Sequence, residues 1–143
     1  MMRQYQEFMV RATQVANTLL NMSIQDDPDF DNVARFIWDT HKDVVPTAFA
    51  IWYDVAVRMC GQAAAEAAVL QVTSNIASAP LRESSSRAVI CDMLYGMQDR
   101  SPSKATKAWA RVVNQQDGWP VAWEVMTLMS SMFSNIFIRA VQE

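Results

Sequence analysis

Five prolines, at positions 28, 46, 80, 102 and 120, divide this chain of 143 residues into six pieces. Proline locks φ near the helical value but has no amide hydrogen, so it breaks a helix interior and fits a first helical turn. Pro28, Pro46, Pro102 and Pro120 each stand where apolar residues begin to recur with a 3.6-residue period. The pattern predicts an all-α fold: a compact single domain, residues 1–143, of six or seven helices joined by short, proline-marked turns. No segment shows the alternation of a half-buried strand. No internal repeat or long linker interrupts the chain.

Periodicity places the first helix over residues 2–24, with Tyr5, Phe8, Met9, Ala12, Val15, Ala16 and Leu19 inward. Asp27 is the expected N-cap and Pro28 the first helical residue of a second helix. That helix runs to Val44, its inner face formed by Phe30, Val33, Ala34, Ile37, Trp38 and His41. A residue before proline is pushed out of the αR region, so it should stop ahead of Pro46. A third helix covers 47–60, with Ala48, Phe49, Trp52, Ala56 and Met59 inward. Gly61 is either its C-cap or a mid-helix glycine.

The fourth helix, residues 62–77, is rich in alanine, which favours helix and allows close approach; a central position is expected for it. Pro80 lies in a polar, serine-rich stretch that is either a loop or the first turn of the next helix. That helix buries Val89, Ile90, Met93, Leu94 and Met97. Ser101-Pro102 starts another, closed by Asp117-Gly118, with Ala105, Ala108, Trp109, Val112 and Val113 inward. The last helix, from Pro120 to about Gln142, carries only Glu124 and Arg139 as charged residues. It is expected to be either central or covered by a partner.

Composition limits function. Apolar residues make up 51% and charged residues 19%, so the chain is globular with a surface short of charge. The net charge of −3 supplies no general attraction to nucleic acid. The start of the chain lacks a signal-peptide core, and the uncharged runs 67–81 and 125–138 are shorter than the ~20 residues of a membrane span. A soluble cytoplasmic or intracellular protein without a transmembrane helix is expected. Cys60 and Cys91 sit among apolar neighbours and are expected to be buried free thiols.

Chemistry-bearing clusters are scarce. One histidine and two distant cysteines match no zinc spacing, and Asp39, His41 and Asp43 do not share a helix face. The three glycines are isolated, so no phosphate-cradling loop is present. The chain is therefore read as non-enzymatic, with no catalytic residues, no metal site and no cofactor.

Two surfaces remain as candidates. Trp109, Trp119 and Trp123, followed by Met129, Phe133 and Phe137, combine the usual interface anchors with adaptable methionine, and point to a protein partner, a second copy of the chain above all. Arg100, Lys104, Lys107 and Arg111, spaced by four, three and four, make a basic helix stripe that could meet nucleic acid or an acidic partner. The segment containing Ile37-Trp38, Val45-Pro46-Thr47, Trp52 and Asp54-Val55 also resembles an N-terminal stretch in the coat proteins of flexible filamentous plant viruses. It spans less than one-seventh of the chain, and the arginine-rich and aromatic motifs found later in that family are missing. The resemblance implies a virion or nucleocapsid subunit.

The leading expectation is a self-associating interaction or assembly module. The alternatives are a nucleic-acid-associated assembly subunit and a helical domain with an apolar pocket for a small molecule.

Overall fold

Helix boundaries follow local hydrogen bonding more closely than proline alone. The structure, a computed structural model, describes residues 2–76 and 78–142. Among them are seven α-helices and no strand: α1 (Met2–Ile24), α2 (Phe30–Thr40), α3 (Val45–Cys60), α4 (Gln62–Ile76), α5 (Ser84–Gln98), α6 (Pro102–Val113) and α7 (Trp119–Gln142). A 3₁₀ turn, Lys42–Val44, separates α2 from α3. Ala77, the expected end of the fourth helix, lies outside the described residues.

Pro28 sits in a turn two residues ahead of α2 rather than at its first position. The reason is how α1 ends. Asp26 adopts a left-handed φ of 51°, and the amides of Asp27 and Asp26 bond back to the carbonyls of Met22 (2.9 Å) and Ser23 (3.2 Å). This is a Schellman closure, which reverses the chain before proline can begin a helix. The Asp27 carboxylate then accepts the Asp29 amide at 2.9 Å, steering the chain into α2.

The second helix stops at Thr40, short of Val44, and the break falls at His41. Val45 stays in the αR region (φ −60°, ψ −46°) although a proline follows it. Val44, Val45 and Pro46 are all buried, and that burial outweighs the modest pre-proline preference. Pro102 opens α6 and Pro120 is the second residue of α7, as expected, while Pro80 lies in the loop before α5. Gly61 proves to be the α3 C-cap, at φ 90° and ψ 159°, a conformation open almost only to glycine. Gly118 answers a different need: a Cβ there would lie 2.2 Å from the Val112 carbonyl oxygen.

The bundle is built around α7. It packs against α1, α2, α3, α5 and α6, and buries Met126, Met129, Phe133 and Phe137. Phe49, Trp52 and Phe133 follow one another at ring-centroid distances of 5.1 and 5.5 Å. The Trp52 indole N–H donates to the Ala16 carbonyl at 3.0 Å, tying α3 to α1 inside the core. Part of the serine face of α7 is covered too: Ser130 and Ser134 are buried, with the Ser134 hydroxyl donating to the Ser130 carbonyl at 2.6 Å, while Ser131 and Asn135 are exposed. By length and composition α7 could cross a membrane, yet more than half of that stretch is enclosed by the other helices, as in a core helix.

The expected central position of α4 is not found. Only Ala65, Val69 and Ile76 are buried on it, and Ala63, Ala64 and Ala67 face outward. Alanine favours helix but a methyl buries little area, so the large side chains of α7 take the centre instead. Tyr5 and Met59, expected inward, are exposed. Cys60 is exposed as well, at the end of α3, and Cys91 is half-buried; both are free thiols.

Candidate functional site

The tryptophans expected to form an interface act within the chain as a clamp on α2. The Trp109 indole N–H donates to the Lys42 carbonyl at 2.7 Å, and its ring meets Trp38 edge-on at 5.7 Å. The Arg35 guanidinium lies 4.9 Å from the Trp119 ring, and the Trp123 N–H donates to the Asp31 carboxylate at 2.6 Å. Trp109, Met129, Phe133 and Phe137 are buried, so they are withdrawn from the surface that the sequence suggested. Trp119 and Trp123 are half-buried. Each aromatic group has found complementary cover in its own chain, which is why six suitable anchors do not make an exposed patch.

The basic stripe is also altered. Lys104, Lys107 and Arg111 do share a face of α6, but Arg100 precedes the helix and turns toward α4, donating to the Gln62 side-chain carbonyl at 2.8 Å. Lys104 pairs with Asp99 at 2.5 Å, and Arg111 pairs with Asp92. Asp92 comes from α5 and Asp99 from the residue that caps it, so the α5–α6 hairpin neutralises two of the three cations and leaves Lys107 between them. Spacing along one helix could not show acids arriving from another.

A buried carboxylate that sequence reasoning passed over organises the chain entering α5. Glu124, only 6% exposed, accepts the amides of Arg82 (2.9 Å) and Glu83 (2.8 Å) and the Ser86 hydroxyl (2.8 Å). Burial pushes its pKa up, but these three donors, with the Arg82 charge, outweigh it and hold the carboxyl below its ordinary value. Its signal was a lone acid in an apolar helix, opposite a serine run whose helix start has no side-chain cap of its own. Arg11 similarly grips Asp43 through two hydrogen bonds, of 3.0 and 2.9 Å, joining α1 to the 3₁₀ turn. The hydrogen bond from Arg11 lowers the Asp43 pKa.

Two of the open surfaces among the described residues stand out. One is a cleft of about 540 Å³ between α3 and the α5–α6 hairpin, with apolar walls and a polar lining that includes Tyr53, Asp54, Arg58, Gln62 and Arg100. The other is an apolar pole. Asp31, in the first turn of α2, meets Trp123 in the first turns of α7, and α1 packs along α7. Met2 (78%) and Tyr5 (66%) at the start of α1 and Val141 (76%) at the end of α7 are exposed, with Val10 and Ile138 nearby in sequence.

The lone histidine, His41, sits edge-on to Phe36 at 5.8 Å. Among the described residues no group of three or more His, Cys, Asp and Glu comes together as it would around a metal ion. No protein-family model matches the chain, and neither a curated protein nor a solved structure matches it.

Proposed function

We propose that this chain is a non-enzymatic assembly module that self-associates through the pole formed by the start of α1 and the end of α7. The observation that carries this reading is the apolar stripe of α1. It is buried at Ala12, Val15, Ala16 and Leu19, and continues two turns further, through Phe8 and Met9 to Tyr5 and Met2, where the body no longer covers it. An amphipathic stripe that outruns its own core calls for cover from elsewhere. A second copy fits the charges at this pole. Arg3 and Glu7, one turn apart on α1, pair with each other at 3.4 Å and leave no net charge there to repel a second copy.

Sedimentation velocity over a hundredfold concentration range tests this. The expected result is a mass that rises with concentration in the wild type and stays monomeric in Tyr5→Glu and Val141→Glu. A wild type that remains monomeric throughout refutes the proposal. The nucleic-acid alternative has weaker support, because Asp92 and Asp99 occupy two of the three cations on α6. Single-stranded RNA added to the same runs, without effect on the mass, removes it.

A further inference from the structure

The cleft beside α3 has a composition that the apolar pole lacks. Its walls are apolar, from Pro46, Ala50 and Val57 on α3 to Met97 and Ala105 on the α5–α6 hairpin. Its polar lining comes from different elements: Thr47, Tyr53, Asp54 and Arg58 from α3, Gln62 from the start of α4, Arg100 from the turn between α5 and α6 and Thr106 from α6. Hydrogen bonds join Tyr53, Gln62 and Arg100 into one polar cluster, the polar end of the cleft. A volume of about 540 Å³ with apolar walls and a few convergent polar groups is the usual form of a small-molecule site.

The polar end is held in place before any ligand arrives. The Gln62 side-chain amide donates to the Tyr53 hydroxyl oxygen (3.3 Å) and to Glu66 (2.7 Å), and its carbonyl accepts from Arg100 (2.8 Å). Tyr53 is only 5% exposed. Its oxygen is used as an acceptor, and among the described residues no acceptor takes its proton. Burial, with Glu66 close by, pushes the phenol's pKa up, so it keeps that proton to donate at neutral pH. Arg58 forms no ion pair among the described residues.

Arg100 adds an independent sign. It occupies the position after the α5 C-cap at a left-handed φ of 54°. The Ser101 amide bonds to the Gly96 carbonyl (2.8 Å) and the Arg100 amide to that of Met97 (3.2 Å), completing a Schellman motif. Glycine is the usual residue there, because a side chain is strained in that conformation. Here an arginine is kept in it, and its guanidinium is directed to the polar end of the cleft.

Charge selects the ligand. The lining carries two guanidinium groups and the carboxylate of Asp54; Glu66 stands behind it with its carboxylate taken by the Gln62 amide. Neither arginine is in an ion pair among the described residues, so the open cations suit a small anion. The guanidinium fork suits a planar carboxylate. We propose that this cleft binds a small organic monoanion with an apolar body, its carboxylate taken by Arg58, Arg100 and the Tyr53 hydroxyl and its body lying along Pro46, Ala50 and Val57.

Octanoate, octanol and octylamine are the probes, followed by ligand-observed NMR and thermal shift on the full chain. The wild type should bind octanoate, and bind the uncharged and cationic analogues at least about tenfold more weakly, the usual worth of a charge-assisted hydrogen bond. Arg58→Gln should lose about ten- to a hundredfold in octanoate affinity. Arg100→Gly should lose a similar factor while its ligand-free melting temperature stays level or rises, because glycine relieves the backbone strain. That combination separates a binding role from a structural one. Octanol binding as well as octanoate, or octanoate binding unchanged in both variants, or no octanoate binding at millimolar concentration, overturns the proposal.

Discussion

Replacing Glu124 with glutamine keeps the size of the side chain and reverses the sense of its hydrogen bonding. In the wild type both carboxylate oxygens accept: one from the Arg82 amide, the other from the Glu83 amide and the Ser86 hydroxyl. A glutamine has one carbonyl oxygen, and its NH₂ group must face at least one of these donors. A hydrogen bond to a charged group contributes ~1.5–3 kcal/mol, and stranding a buried donor costs a comparable amount. Water can reach the Arg82 side of the site, so the full sum is not lost. Glu124→Gln should therefore destabilise the fold by about 2–4 kcal/mol. With an m-value of ~2 kcal/mol/M for a domain of this size, that lowers the urea midpoint by about 1–2 M.

The pH dependence supplies a second, independent reading. Folding lowers the Glu124 pKa from its ordinary 4.5, so the folded state favours the ionised form. Its contribution is complete above the unfolded-state pKa and is lost as pH falls through the lower folded-state value. The gap between wild type and variant should be widest at neutral pH and should narrow as the buffer is taken below about pH 4. A variant within about 0.5 kcal/mol of wild type at pH 7, which is the range of an ordinary surface change, refutes this account. So does a gap that is the same at both ends of the pH range.

Two glycines should fail for opposite reasons. Gly118→Ala places a methyl 2.2 Å from a backbone oxygen that cannot yield, and should cost upwards of about 3 kcal/mol in equilibrium unfolding. Gly61→Ala meets open space but a φ of 90°, and should cost ~1–3 kcal/mol from backbone strain alone, without changing the m-value. Trp123→Phe removes the hydrogen bond to Asp31 and should lower stability by about 1 kcal/mol. Amide exchange should rise first in α2, the helix that the indole restrains.

The sequence showed the helices well because helix chemistry is local. Ser101-Pro102 and the inward stripe from Val89 to Met97 depend only on residues within a turn or two, and they were legible without a fold; α6 by contrast ends at Val113, five residues ahead of the Gly118 expected to close it. Pro28 and Pro46 misled slightly, since the α1 Schellman closure and the burial of Val44 and Val45 act over a longer range than the proline rules. The placement of helices was less legible. Alanine runs report propensity rather than position, so α4 looked central and is not. Candidate sites were least legible, because each depends on what faces a residue from elsewhere. Asp92 and Asp99 neutralise a stripe read from α6 alone, Asp31 and Lys42 occupy indoles that looked free, and Arg58 lines the same cleft as Arg100, which lies 42 residues further along the chain.

The position of α7 also bears on how the molecule comes into being. The helix at the centre of the bundle is translated after the other six, five of which pack against it. Until it leaves the ribosome, Trp52, Phe49 and the inner stripe of α1 have no Phe133 or Met129 to pack against. Helical hairpins such as α5–α6 can close from local contacts as they emerge, but the shared interior cannot. The nascent chain therefore passes through an interval in which apolar faces are bare and no cooperative core exists, the stage at which chaperone capture or premature association acts on it.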